Sequence, residues 1–367
     1  MKQAYAPLTG DVSVPGDKSI SHRAVLFSLL TKGTCRVTGW LDSQDTRSSL
    51  EAVCTLGGTA GFQDGILQIT PPAAAPKHPE IITIDCGNSG TTVRLLTGLL
   101  AGWLDPDGAA LRLVGDASLS TRPMARVVDP LIAMGADITY EKTEGRLPLV
   151  VRGASLKGIH HQLKVSSAQV KTALQLAGLF ASGKTSISGA EGARDHTDRL
   201  LAVMGQVLKP YEITVPADPS TAAFVQVAAA LVPNSTITTD NLCLNPGRAG
   251  ALAVLQRAGA KVKIDQKVFD PAEPMGNVTV GHGPLKNFVI TAGEVPSLID
   301  ELPILAVLAT QAAGTTTITG AADLRVKESD RISAMATALK SLGADITEHD
   351  DGWTITGPTP LRGGTEE

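Results

Sequence analysis

Residues able to hold anions gather at several points along the chain, each just ahead of an apolar run. The first is VPGDKSISHR, Val14 to Arg23, where Lys18, Ser19 and Arg23 precede AVLFSLL. The free N–H groups and dipole of a helix N-terminus already favour a negative ligand there. Arg23 lies one turn beyond Ser19, so both side chains can face the same ligand. Cations at this end oppose the helix dipole and need another reason to be present. A second stretch, DCGNSGTTVRLLTGLL, places Gly87, Gly90 and small polar residues in a turn, with Arg94 one turn into the helix. It has the character of a phosphate cradle but lacks the Gly-Lys-Ser/Thr of a Walker A loop and the third glycine of a dinucleotide fingerprint. In GDASLSTRPMARVVDPL, Arg122 precedes Pro123, a residue suited to the first helical turn.

Four further stretches follow the same plan. KVSSAQVKTALQLAG offers Ser166, Ser167 and Gln169 before a helix, with Lys171 beyond. GARDHTDRLL gives Arg194, Asp195 and His196, and His196 is expected to cap or face solvent rather than act as a base. SLIDELPILAVLA sets Asp300 and Glu301 ahead of a strongly apolar helix, where carboxylates are ordinary partners of the dipole. LRVKESDRISAMATAL sets Lys327, Glu328 and Arg331 at another helix start, with Lys327 and Arg331 four apart on one face. Each stretch alone reads equally as a capped helix with solvated charges. Together they predict a polyanion-binding cleft for small molecules carrying several phosphates or carboxylates.

The elements that must position these residues come from a repeated phrase: an amphipathic helix end, a glycine, then a strand. It occurs around Gly57, Gly135, Gly205, Gly259 and Gly343, each where a helix C-cap needs positive φ. Four copies continue into strand–turn–strand text such as ITYEKTEGRLPLVVRG and ITEHDDGWTITG. With helical stretches such as TTVRLLTGLLAG and QVKTALQLAGLF between copies, the unit reads as βαβαββ. Most copies recur at about 70–85 residues, but Gly205 and Gly259 are only about 54 apart, and MGQVLKPYEITV leaves no room for a hairpin.

Composition narrows the classes of function. The 367 residues suffice for two domains with real cores, at 43% apolar and 19% charged with a formal net charge of -4. No basic excess is present to hold nucleic acid, and aromatics at 3% are too few for base-stacking platforms. Cys35, Cys54, Cys86 and Cys243 lack metal-ligand spacing, and neither a signal peptide nor a membrane span is evident. A reduced, cytoplasmic compartment is the expectation.

Taken in order, PGDKSISHR, GNSGTTVR, STRPM, SSAQVK, RDHTDRL, IDELP and RVKESDR resemble the EPSP synthase (3-phosphoshikimate 1-carboxyvinyltransferase) family from Ala6 to about Gly363. The resemblance implies an α/β enolpyruvyltransferase fold, an inverted α/β barrel of two domains built from βαβαββ units. Residues 1–16 and 216–367 would form a first, incomplete domain, and 17–215 the second, on the shikimate 3-phosphate side. It also implies transfer of the enolpyruvyl group of phosphoenolpyruvate to the 5-hydroxyl of shikimate 3-phosphate, with no cofactor and no metal. Such an enzyme needs no nucleic-acid or membrane partner and is expected to be a monomer.

Carried over residue by residue, the family pattern makes Lys18, Asp300 and Glu328 catalytic. Shikimate 3-phosphate would be held by Lys18, Ser19, Arg23, Ser167, Gln169, Arg194, Asp300 and Lys327. Phosphoenolpyruvate would meet Lys18, Asn88, Gly90, Arg122, Gln169, Lys327 and Arg331. The sequence departs from the pattern at Ala193, where the family usually has Ser or Thr, and in the hairpin missing after Gly205. The family also continues past LRGGT into a Gly-Asp-His-Arg motif and a last unit with another Arg and a Lys. The alternative is therefore a catalytically impaired relative that still binds shikimate 3-phosphate. A sister enolpyruvyltransferase acting on a UDP-sugar fits the Lys-Ser-x-Ser-His-Arg opening less well, and a purely structural repeat leaves the cationic helix starts unexplained.

Overall fold

The structure, a computed structural model, describes residues 6–77, 81–164, 166–269 and 272–364. The chain divides into two units, residues 1–15 with 216–367 (unit 1) and residues 16–215 (unit 2). Strand β1 (Thr9–Val12) belongs to unit 1. Unit 2 begins with α1 (Lys18–Leu26), β2 (Cys35–Thr38), α2 (Gln44–Thr55), β3 (Thr59–Gln63) and β4 (Ile66–Thr70). A second repeat supplies β5 (Ile82–Asp85), α3 (Gly90–Trp103), β6 (Leu111–Val114), α4 (Ala117–Ser120), α5 (Ala125–Ala133), β7 (Asp137–Tyr140) and β8 (Leu149–Arg152). The third is shorter: β9 (His160–Gln162), α6 (Ala168–Gly178), β10 (Ser186–Ser188) and α7 (His196–Met204), before β11 (Glu212–Thr214).

Unit 1 resumes with α8 (Pro219–Leu231), β12 (Thr236–Cys243), α9 (Gly250–Arg257), β13 (Lys261–Phe269) and β14 (Pro274–Gly281). Its second repeat is β15 (Val289–Ile290), α10 (Leu302–Thr310), β16 (Gly314–Ile318), α11 (Arg331–Ser341), β17 (Asp345–His349) and β18 (Gly352–Gly357).

Local chemistry starts and stops these helices where the sequence reading expects. Asp17, Ser89, Ser167 and Asp330 accept backbone N–H groups at the N-caps of α1, α3, α6 and α11. Ser43 and Thr46 form a reciprocal capping box on α2. The five repeat glycines, 57, 135, 205, 259 and 343, all follow helices at positive φ, from 69° to 101°. A residue with a Cβ would be strained there, so the glycine itself marks each helix exit.

Four sheets share one topology: a parallel pair followed by an antiparallel hairpin. Their orders are β11-β2-β4-β3, β5-β6-β8-β7, β1-β12-β14-β13 and β15-β16-β18-β17. The fifth contains only β9 and β10, paired in parallel. After Gly205 the chain runs through a turn to β11, which joins β2 in the first repeat's sheet instead of forming a hairpin.

Packing in unit 2 centres on α3, whose Val93, Leu95, Leu96, Leu99 and Leu100 are all buried. Gly98 lets α6 approach closely, because a Cβ at that position would stand 2.3 Å from the Ala173 carbonyl oxygen. In unit 1 an aliphatic core surrounds Trp353, whose indole nitrogen donates to the Ile332 carbonyl at 3.0 Å. That bond ties β18 to the first turn of α11, the helix that begins at Arg331. No helix among the described residues is long and apolar enough to cross a membrane.

Candidate active site

In unit 2 the expected site residues fall into two clusters. The first lies at the start of α1. Asp17 caps the helix, with Oδ1 accepting from Ile20 N at 3.0 Å. Gly16 must be a glycine, since a Cβ would stand 2.0 Å from the Gly39 carbonyl oxygen. This tight entry fixes where Lys18 and Ser19 emerge. Lys18 is half exposed and pairs through Nζ with Asp45 Oδ2 at 2.9 Å. The Ser19 hydroxyl receives Nη1 of Arg194 at 3.4 Å, which brings residues 175 apart in sequence onto one point.

Arg23 has a different character from its neighbours. It is 3% exposed, and each guanidinium nitrogen donates within the protein. Nε reaches Thr197 Oγ1, Nη2 reaches Thr172 Oγ1 and Nη1 reaches the Ser19 carbonyl, all at 2.9 Å. Arg23 therefore ties α1 to α6 and α7 and holds the Ser19 backbone. Ser167 caps α6 by accepting from Val170 N at 3.4 Å, and the hydroxyl keeps its own proton to donate.

The second cluster surrounds the N-terminus of α3. Arg122 Nη2 donates to Asn88 Oδ1 at 2.6 Å, and Asn88 Nδ2 donates to Asp116 Oδ2 at 2.6 Å. Asp116 also accepts from Leu119 N as the cap of α4, and these bonds hold its carboxyl below the usual range. Arg94 donates from Nη1 to Gln169 Oε1 and to the Gly90 carbonyl, both at 3.2 Å. Gln169 Nε2 donates in turn to Thr91 Oγ1 at 3.0 Å. A Cβ on Gly90 would stand 2.6 Å from Arg94 Nη1 and 3.0 Å from Arg122 Nη1. Two guanidiniums thus flank the bare first residue of α3. Both arginines are under 10% exposed. Two nearly buried cations at the positive end of a helix make a site for an anion.

Arg122 reaches this place by another route than the one expected. Pro123 is not in a first helical turn: α4 ends at Ser120 and α5 begins at Ala125. Arg122 lies in the turn between them, with its N–H bonded to the Leu119 carbonyl. Proline tolerates such a turn as readily as a helix start, so the dipeptide did not distinguish them.

Unit 1 carries its own cluster. Asp300 Oδ1 lies 3.6 Å from Lys327 Nζ and 3.4 Å from Arg331 Nη1, and Glu328 Oε2 lies 2.8 Å from Arg331 Nη2. All four side chains are partly exposed. The four-residue spacing predicts one helix face for Lys327 and Arg331, yet of the two only Arg331 is helical. Lys327 follows a short 3-10 turn over Ala322–Val326, and Asp330 caps α11. The two cations converge because Asp300 attracts both, and Arg325 holds the loop by bonding Asp330, Glu348 and two carbonyls of the 349–350 turn.

Two contributors were missed or misread in the sequence. The sequence places Arg94 one turn into α3 but gives it no role, although it bonds Gln169. Glu301, expected to serve the helix dipole, is 1% exposed and makes no side-chain cap. It joins a buried group in which Arg248 binds Asp218 at 2.7 Å and Glu301 at 3.2 Å, with Ser220 donating to Glu301. Nothing local to Arg248 signals this, because its partners lie 30 and 53 residues away.

Comparison with known proteins agrees along the whole chain. The family model for EPSP synthase (3-phosphoshikimate 1-carboxyvinyltransferase) matches residues 2–366. The 3-phosphoshikimate 1-carboxyvinyltransferase of Anaeromyxobacter sp. (strain K) is 46% identical over 371 residues, covering 97% of this chain and 83% of that protein. That of Shouchella clausii is 44% identical, covering 99% and 87%. A solved structure of EPSP synthase from Acinetobacter baumannii superposes with a TM-score of 0.82 at 36% identity, covering 98% of this chain and 85% of the other.

Proposed function

The chain belongs to the EPSP synthase family, and we propose that Lys18, Asp300 and Glu328 are the catalytic residues of its reaction. The enzyme transfers the enolpyruvyl group of phosphoenolpyruvate to the 5-hydroxyl of shikimate 3-phosphate and releases phosphate. Forming the new C2–O bond requires removal of the hydroxyl proton and protonation of the methylene carbon. Cationic character then builds at C2, so acid and base must act together. Because the product keeps its methylene, the added proton leaves again when the C2–phosphate bond breaks.

In this reading Asp300 takes the 5-hydroxyl proton and Glu328 serves the methylene. Ser19, Arg23, Ser167, Gln169 and Arg194 hold shikimate 3-phosphate, with Arg23 also fixing the Ser19 backbone beneath it. Asn88, Gly90, Arg122, Gln169, Lys327 and Arg331 hold phosphoenolpyruvate, and Lys18 and Lys327 contact both substrates. Clamps of this kind fix the approach and neutralise developing charge. Residues 1–16 with 216–367 form the first domain and 17–215 the shikimate 3-phosphate side. We further infer a cytoplasmic monomer acting on these two small molecules, without nucleic acid or membrane. The free thiols of Cys35, Cys54 and Cys86 and the net charge of -4 favour that setting.

The observation that carries the assignment is the Asp300 carboxylate between Lys327 and Arg331, with Glu328 bonded to the same arginine. A partly exposed carboxylate held in place by two cations is oriented to receive a proton from a hydroxyl brought against it. No observation favours the impaired alternative. Phosphate release by the purified chain, against Asp300→Asn, tests the assignment. The variant is expected to fold normally and lose about 10²–10⁴-fold in kcat. Near-normal turnover would remove Asp300 from the mechanism.

A further inference from the structure

Behind Lys18 lies a buried polar chain that the assigned roles do not use. His22 stands one helical turn beyond Lys18 on the same face of α1, and its side chain is wholly buried. Asp45, in the first turn of α2, lies between them. Its Oδ2 meets Lys18 Nζ at 2.9 Å, and its Oδ1 faces His22 Nε2 at 3.5 Å. These last two atoms are both buried and have no other hydrogen-bond partner. On the far side of the ring, His22 Nδ1 lies 2.8 Å from Ser49 Oγ, which lies 2.7 Å from Thr92 Oγ1.

The arrangement selects one tautomer. With the proton on Nδ1, a ring lone pair would face the Asp45 carboxylate, two acceptors in a buried site. With the proton on Nε2, Ser49 donates to Nδ1 and Nε2–H points at Asp45, while the Thr92 hydroxyl, 2.7 Å from Ser49 and 2.7 Å from Ser89, keeps its own donation to Ser89. Each orphaned atom then serves the other. The 3.5 Å separation is long for a formed hydrogen bond, so the present attraction is chiefly electrostatic.

We propose that His22 is a positioning residue for the Lys18 ammonium, acting through Asp45 as a neutral imidazole whose Nε2–H faces the carboxylate. The proposal rests on the reading of Lys18 as a catalytic residue that contacts both substrates. Asp45 bridges Lys18 and His22 with its two carboxylate oxygens, so its orientation bears directly on where the ammonium sits. Burial lowers the His22 pKa below the ordinary imidazole value, with the opposing pull of Asp45 outweighed. Burial also works to raise the Asp45 carboxyl, but contacts with His22, Lys18 and Ser89 bring it well below the usual range.

The charged groups facing the ring are Lys18 and Arg23 on its own helix and Asp45 on α2. Helix α3 contributes the hydroxyls of Ser89 and Thr92, and α7 meets α1 through Thr197 on Arg23. An imidazolium would add a third cation here and compete with Lys18 for the Asp45 carboxylate. Activity should therefore fall as pH drops through the lowered His22 pKa.

The test compares His22→Leu, His22→Gln and Lys18→Ala in the full chain, reading kcat, both KM values and the pH profile of phosphate release. A glutamine amide can place its nitrogen near that of Nε2 yet does not titrate. His22→Leu is expected to lose up to about 10²-fold in kcat, as a misplacement near 1 Å can cost, with KM for shikimate 3-phosphate within about 3-fold. His22→Gln should recover most of that loss and lack the acid limb seen in the parent. Unchanged kcat and profile in His22→Leu overturns the proposal, as does equal impairment of both variants. If His22→Leu does not fold, the acid limb of His22→Gln decides: its persistence overturns the proposal. An active Lys18→Ala would instead refute the Lys18 assignment, whereas an inactive Lys18→Ala beside a normal His22→Leu refutes only the role of His22.

Discussion

Replacing Gly90 with alanine adds one methyl group at the point where two guanidiniums converge. Gly90 opens α3 at ordinary φ, so alanine meets no backbone strain there and gains up to about 1 kcal/mol of helix propensity. The new Cβ would stand 2.6 Å from Arg94 Nη1, where ordinary contact begins at 3.4 Å. Arg94 must therefore retreat by about 0.8 Å (3.4 minus 2.6) and Arg122 by about 0.4 Å (3.4 minus 3.0). The 3.2 Å bond from Arg94 to Gln169 is already long, and a retreat of that size breaks it. A hydrogen bond to a charged group contributes about 1.5–3 kcal/mol, equivalent to roughly 10- to 150-fold in affinity. Gly90→Ala should thus raise KM for phosphoenolpyruvate by at least about 10-fold, while the propensity gain offsets part of the lost bond and keeps stability within about 2 kcal/mol of the parent. A phosphonate mimic of phosphoenolpyruvate, which should compete with it in the parent, should weaken in parallel. Steady-state phosphate release at varied phosphoenolpyruvate measures the first effect, and a melting curve the second. An unchanged KM in a folded variant would refute the placement of phosphoenolpyruvate at α3.

Two other outcomes follow from buried and half-buried charge. Arg248→Met leaves Asp218 and Glu301 buried without their shared cation, and urea denaturation should show a loss of about 3–5 kcal/mol; a loss below about 1 kcal/mol would mean that the group does not hold unit 1 together. Burial works to raise the Glu294 carboxyl, but bonds from Arg257 and Thr291 bring it below its ordinary value. With the folded pKa depressed, its stabilisation is present above the unfolded carboxylate pKa and disappears as pH falls through the folded one. Glu294→Gln should therefore flatten that acid-side slope in melting experiments, and an identical slope in parent and variant would dismiss the pair as a contributor.

The helices and their limits were readable because their causes are local. Asp17, Ser43, Ser89 and Asp330 cap helices within three residues of themselves, and the five glycines satisfy a backbone angle that other residues resist. The hairpin missing after Gly205 was equally legible, since a hairpin needs more residues than that segment has. Local text failed where several conformations satisfy the same residues. Arg122-Pro123 suits a turn as well as a helix start, and Lys327 to Arg331 suited one helix although a loop precedes the cap at Asp330.

Sequence alone therefore determined the repeat, the chemical types assembled at the helix starts, and the family to which they belong. The tertiary structure decided which of those groups bind inside the protein and which face outward. Arg23 reads as a ligand-binding cation, and its bonds to Thr172 and Thr197, about 150 and 175 residues away, come only from the packing of α1 against α6 and α7. Arg94 acquires its partner Gln169 only when α6 packs against α3, a contact that Gly98 permits. His22 meets Asp45 only because α1 and α2 lie side by side. Hydrogen bonds and ion pairs act over a few ångströms of space, and the separation of residues along the chain does not specify that distance.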